Sequence, residues 1–163
     1  MYTVNLNVKS PVVPSDAQEI TGNISGNGNY VVSGTRSEAI NITGGSPHIY
    51  LDDAQISVSS GPAINITGGT PTIHVTGENT IETGNSLSNY AAGIYVAQGS
   101  SVTIEGRDTD DVLRVTGGAD GAAIGGYSPA LNSHNPCGDI TINNVTLYAY
   151  ASNAYLNNLP NGD

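Results

Sequence analysis

The sequence predicts an all-β protein, a right-handed parallel β-helix (β-solenoid) with ~24-residue turns. Three observations carry that expectation. Residues 39–51 read A-I-N-I-T-G-G-S-P-H-I-Y-L and residues 63–75 read A-I-N-I-T-G-G-T-P-T-I-H-V, so the phrase that opens at Ala39 opens again at Ala63. A fixed period of this size marks stacked units, none of which can bury its apolar face alone. Within the phrase, apolar and polar residues alternate: Ile40 and Ile42 go to one face, Asn41 and Thr43 to the other. Finally, 21 Gly and 8 Pro punctuate the chain too often for sustained helical periodicity. A Greek-key sandwich is the structural rival, because short strands and Gly turns suit it too. The recurring spacing favours the β-helix.

Length and composition set the bounds. The 163 residues fit a single domain spanning 1–163. About six or seven turns of ~24 residues would use nearly all of it. Phe and Trp are absent, so Ile, Val and Ala must supply the core, and the nine Tyr are expected outside or near the ends. The net charge is -10, with Lys9, Arg36, Arg107 and Arg114 the four basic residues. That excludes a nucleic-acid footprint and disfavours an anionic membrane surface. An acidic surface suits simple solubility, Ca²⁺ or an extracellular setting. Cys137 is alone, so no intramolecular disulfide can form, and a small buried hydrophobe is the expected role. No apolar run approaches the ~18 residues of a membrane span, so no membrane insertion is expected. Met1-Tyr2 opens directly into a strand pattern, as a chain with its leader removed or lacking one would. The expected location is extracellular, at the cell surface.

The elements follow in order. Residues 2–8 alternate, with Tyr2, Val4, Leu6 and Val8 on one face, and predict a strand. Pro11 and Pro14 end it. This strand could cap the stack or be donated to a neighbouring subunit. Residues 1–33 thus form an N-terminal strand or cap and an irregular first turn, and 34–150 form stacked repeats. Gly44-Gly45 and Gly68-Gly69 supply the positive φ of sharp corners. Loops are expected at 82–91 and 127–138. Val102 and Ile104 are expected to replace Ile73 and Val75. Residues 107–111, R-D-T-D-D, form the most acidic loop. Val112, Leu113 and Val115 continue the core, and Ile140, Ile142, Val145 and Leu147 point inward in the last turn. Residues 151–163 are a C-terminal cap or the cut edge of a longer array.

The stretches A-A-G-I-Y-V-A-Q-G-S-S-V-T-I-E-G at 91–106, G-G-A-D-G-A-A-I-G-G at 117–126 and C-G-D-I-T-I-N-N-V-T at 137–146 carry a family resemblance. They resemble the right-handed β-helix repeats of large bacterial cell-surface, adhesin-like proteins, in which G-A-G-I-G-G and G-T-I-T-I-N-G-G-T-V recur. The resemblance spans roughly residues 39–150 and rests on architectural motifs. It implies a non-catalytic surface region, carbohydrate-binding in some members, with no catalytic residues to carry over. Tyr127 to Pro136 departs from the pattern, standing where that family has a short Gly linker.

Candidate chemistry is sparse. Asp108, Asp110 and Asp111 could ligate Ca²⁺ through hard oxygens, although an acidic corner is ordinarily a solvated turn. No cofactor is otherwise implied. His74 lies between Ile73 and Val75 and is expected to point outward beside Tyr50, which holds the matching position of the preceding repeat. An exposed Tyr–His ladder could stack on sugar, or be a plain cross-strand pair. Tyr50, His74, Tyr90, Tyr95 and Tyr127 are the carbohydrate-contact candidates. Asn23, Asn41, Asn65 and Asn144 begin N-x-S/T sequons, glycosylated only where the host permits. No G-x-S-x-G elbow or triad exists, so no catalytic residue is assigned.

These features favour a non-catalytic extracellular module, structural and adhesive, able to bind carbohydrate or another surface protein. One alternative is a self-assembling fibre subunit joined through its ends, with Tyr2, Val4, Leu6 and Val8 as the assembly residues. Another is a polysaccharide lyase or hydrolase, which would need converging acidic and basic groups near Asp52-Asp53 or Asp108–Asp111 with Arg107 and Arg114.

Overall fold

A computed structural model describes residues 13–84, 90–119, 121–126 and 136–152. Tyr2, Val4, Leu6, Val8 and Tyr127 therefore lie outside the described residues. The chain is all-β, with no helix among the described residues, and none there long and apolar enough to cross a membrane. The described residues form thirteen strands in order: β1 (Gln18–Glu19), β2 (Asn29–Arg36), β3 (Ile40–Thr43), β4 (His48–Val58), β5 (Ile64–Gly68), β6 (Thr72–Thr76), β7 (Glu78–Thr83), β8 (Ile94–Val96), β9 (Ser101–Gly106), β10 (Val112–Ala119), β11 (Ile124–Gly125), β12 (Asp139–Asn143) and β13 (Thr146–Ser152).

The β-helix expectation is corrected by how these strands join. The main sheet is one continuous parallel half-barrel, a seven-strand path β12-β9-β6-β4-β7-β10-β13 with β1 and β2 added beside β4. A separate four-stranded sheet has the order β11-β8-β5-β3. Two physical features explain the departure. First, β4 is eleven residues long and pairs β6 with its first half and β7 with its second. Asp53, at φ 49, turns the strand between the two halves. Second, a constant turn length is not kept. The chain takes a longer path from Ile73 to its partner Ile104 than from Ile49 to its partner Ile73, and a longer one again from Ile104 to Ile142. The Greek-key rival fails because, among the described residues, every pairing of named strands is parallel and only the isolated Ala97–Cys137 bridge is antiparallel.

The repeated phrase does place like beside like. Ile40, Asn41 and Ile42 pair with Ile64, Asn65 and Ile66. The isoleucines of both are fully buried, in one apolar cluster with Ile49, Leu51, Ile73, Ile81, Ile94, Ile104 and Leu113. At ~25 cal/mol per Å² of apolar surface removed from water, this burial drives the fold. The second glycine of each pair makes the corner, Gly45 at φ 76 and Gly69 at φ 85. A Cβ on Gly69 would collide with the Gly45 carbonyl, because successive corners pack backbone on backbone.

Several local expectations shift. Glu82 and Thr83 end β7 rather than starting a loop. Ile104 pairs with Ile73, so Val102 does not replace it and Val75 faces Gly106. Ile142 is exposed in the final rung because, among the described residues, β12 is the terminal strand of the path and carries no further strand. Cys137 is exposed, on the bridge to Ala97, rather than a buried hydrophobe.

Candidate functional site

Parallel in-register pairing stacks side chains into rows, and the chemistry-bearing residues fall into three groups. The first is a row on the main sheet. Tyr50, His74 and Glu105 are successive partners on β4, β6 and β9. The Tyr50 and His74 rings stack at 4.4 Å, and the His48 ring stacks with that of His74 at 5.2 Å. His48 Nδ1 and His74 Nε2 share a hydrogen bond of 2.9 Å. His74 Nδ1 lies 3.1 Å from Glu105 Oε1, but without hydrogen-bond alignment among the described residues. Tyr50 and His74 thus lie side by side as expected, but the exposure expected of that ladder is corrected. His74 is 8% and Tyr50 9% exposed, because flanking rungs cover the ring faces that a sugar would need. Burial lowers the His74 pKa, with His48 adding to that and Glu105 opposing it. Burial, then Asp16 and Glu105, raises that of Tyr50.

The second group is the acidic loop. Asp111 is buried, and both its carboxylate oxygens accept backbone N–H groups: Gly77 N at 2.9 Å on Oδ1, and Arg107 N at 2.6 Å with Asp108 N at 3.1 Å on Oδ2. Asp108 Oδ1 accepts the Asp110 N–H at 3.0 Å, and its Oδ2 lies 3.5 Å from Arg107 Nε. The Asp108 and Asp111 carboxylates serve the loop's own turn, and Asp111 also the corner at Gly77. Among the described residues no group of three or more His, Cys, Asp or Glu could hold a metal ion. Arg114 sits 3.6 Å from Glu78 and 5.0 Å over the Tyr148 ring. Asp53 Oδ1 accepts the Glu78 N–H at 2.9 Å.

The third group is a row on the four-stranded sheet. Asn41, Asn65, Tyr95 and Gly125 are partners in sequence from β3 through β5 and β8 to β11. Asn65 Nδ2 donates to Asn41 Oδ1 at 3.0 Å. All three side chains are half-buried. Gly125 brings no side chain to the rung beside Tyr95. Tyr90 is half-buried in the chain just before β8, outside this row, and the sequon residues Asn23 and Asn144 are exposed.

Sequence reasoning missed two groups. Asn79 sits at a core position, fully buried, accepting the Ala54 N–H at 2.8 Å and donating to Thr76 O at 2.9 Å. It supports the backbone beside the Asp53 turn, and its polarity in an apolar alternation was the available signal. Arg36 lines a cavity of about 420 Å³ with Glu19 and Glu38. Its guanidinium donates to the Ile20 and Glu38 carbonyls, so it clamps backbone there. No protein-family model, curated protein or solved structure matches the chain.

Proposed function

We propose that this chain is a non-catalytic extracellular surface module, structural and adhesive, with carbohydrate as its ligand class. The observation that carries the reading is the Asn41–Asn65–Tyr95 row. Amides offer paired donors and acceptors to sugar hydroxyls, and a tyrosine ring offers an apolar face with a polar tip. Parallel pairing sets them at the ~4.8 Å strand spacing on a sheet face held rigid by the isoleucine core beneath. The bacterial surface-repeat resemblance and the charge of -10 support a surface location. The non-catalytic part is supported by how the acidic and basic groups are spent: Asp111 on backbone N–H groups, Arg36 on carbonyls, and Arg114 on Glu78 and Tyr148.

A glycan array probed with the full chain tests this. Binding is expected, and Tyr95→Ala should weaken it about tenfold or more, a change of ~1.4 kcal/mol. Tyr50→Phe, which alters a covered ring, should leave it unchanged. No binding to any glycan, or binding indifferent to Tyr95→Ala, would sink the reading.

A further inference from the structure

The apolar rows run through the molecule and stop uncovered at one end. Tyr30, Ile49, Ile73, Ile104 and Ile142 are successive partners; the middle three are fully buried, yet Ile142 is 42% exposed. On the other arm, Ile81 and Val115 are buried and their next partner, Ala149, is exposed. Tyr148 and Tyr150 beside it are 43% and 51% exposed. The opposite end is closed, with Ile20, Ile24 and Val32 buried. Among the described residues the stack is therefore lidded at its start and bare at β13.

The bare edge also offers backbone groups. Thr146 N donates to Asp111 O at 2.9 Å, so Thr146 turns its backbone toward β10. In a parallel pair, alternate residues face alternate neighbours, so Leu147 and Ala149 turn their N–H and C=O outward. Such an edge is a template for one more strand.

We infer that this β13 edge accepts residues 2–8 of a second copy of the chain, so that copies join head to tail by donated strands. Tyr2, Val4, Leu6 and Val8 alternate with Thr3, Asn5 and Asn7, seven residues against the seven of β13. The apolar set continues the rows ending at Leu147 and Ala149; the polar set continues those of Tyr148 and Tyr150. Neither segment carries a charged side chain, so in a chain of net charge -10 this contact adds no like-charge pair of its own. The joint is heterologous, so it propagates or closes into a ring. It uses no residue of the Asn41–Asn65–Tyr95 row, so either proposal can fail alone.

Light scattering coupled to size exclusion tests it on the full chain across a concentration series. The wild type should form multimers that dissociate on dilution. Val4→Asp with Leu6→Asp should remove the donor strand. Ala149→Pro removes an outward N–H without touching the β10 pairing, and Ala149→Lys places a charge on the same edge should the proline unfold the chain. Each variant alone should be monomeric. An equimolar mixture of donor-dead and acceptor-dead chains should yield dimers and nothing larger, since one strand and one edge remain competent. A monomeric wild type at every concentration, variants that multimerise as the wild type does, or a mixture that stays monomeric each overturns the inference.

Discussion

Replacing Asp111 by alanine separates a structural carboxylate from a metal ligand. Asp111 accepts three backbone N–H groups, and a hydrogen bond to a charged group contributes about 1.5–3 kcal/mol. The three do not add in full. Arg107 and Asp108 are exposed, so their N–H groups can turn to water once the carboxylate is gone. The Gly77 N–H is half-buried beneath the loop and loses its partner with little hydration in return. The expected cost of Asp111→Ala is therefore about 2–4 kcal/mol. For a chain of this size, each kcal/mol lowers Tm by roughly 2–4 °C. Urea unfolding read by tyrosine fluorescence, which nine Tyr and no Trp make clean, measures it. Asp108→Ala and Asp110→Ala, on exposed side chains, should each cost under about 1 kcal/mol. A Ca²⁺ site predicts a different pattern: all three losses similar in added Ca²⁺, and a wild-type Tm that rises with Ca²⁺ and falls with chelator. That pattern, or a cost for Asp111→Ala below about 1 kcal/mol, would refute the reasoning.

Three further perturbations probe the fold. Ile73→Ala, in the middle of a fully buried row, should cost about 2–5 kcal/mol by urea unfolding, because Ile49 and Ile104 on either side cannot close the void. Gly69→Ala should cost about 2–4 kcal/mol, from a positive φ and a methyl driven into the Gly45 carbonyl, whereas Gly61→Ala meets nothing and should pay only for its φ. The lowered His74 pKa makes stability pH-dependent. The unfolded imidazole titrates near 6.5, so the contribution of the neutral buried ring is complete above 6.5 and is lost as pH falls through the lowered folded value. His48, Tyr50 and Glu105 face that ring, and urea midpoints from pH 8 to pH 5 should fall more steeply for the wild type than for His74→Gln.

Local structure was legible where the sequence repeats. The alternation at Ile40 to Thr43 sets faces directly, and the Gly-Gly pairs mark corners because only glycine fits backbone stacked on backbone. Joining the rungs was not legible. The lengthened paths from Ile73 to Ile104 and from Ile104 to Ile142 come from insertions whose sequence gives no register. The double pairing of β4 turns on a non-glycine residue, Asp53, in a left-handed conformation. The site was partly legible for a related reason. Period two tells which face a residue takes, so Asn41 is set on the face opposite Ile40 and Ile42. It says nothing of what the neighbouring rungs lay over that face, and so His74 and Tyr50 came out covered. Asp111 looked like its acidic neighbours, and only folding brings the distant Gly77 corner onto it.

The most direct test of the account is a polysaccharide panel incubated with the full chain, scored at once for retention and for released reducing or unsaturated ends. The account predicts retention that Tyr95→Ala weakens and no product above the blank. Released ends that disappear in Asp110→Asn would contradict it, showing the acidic loop to be a catalytic centre rather than a turn held by its own carboxylates.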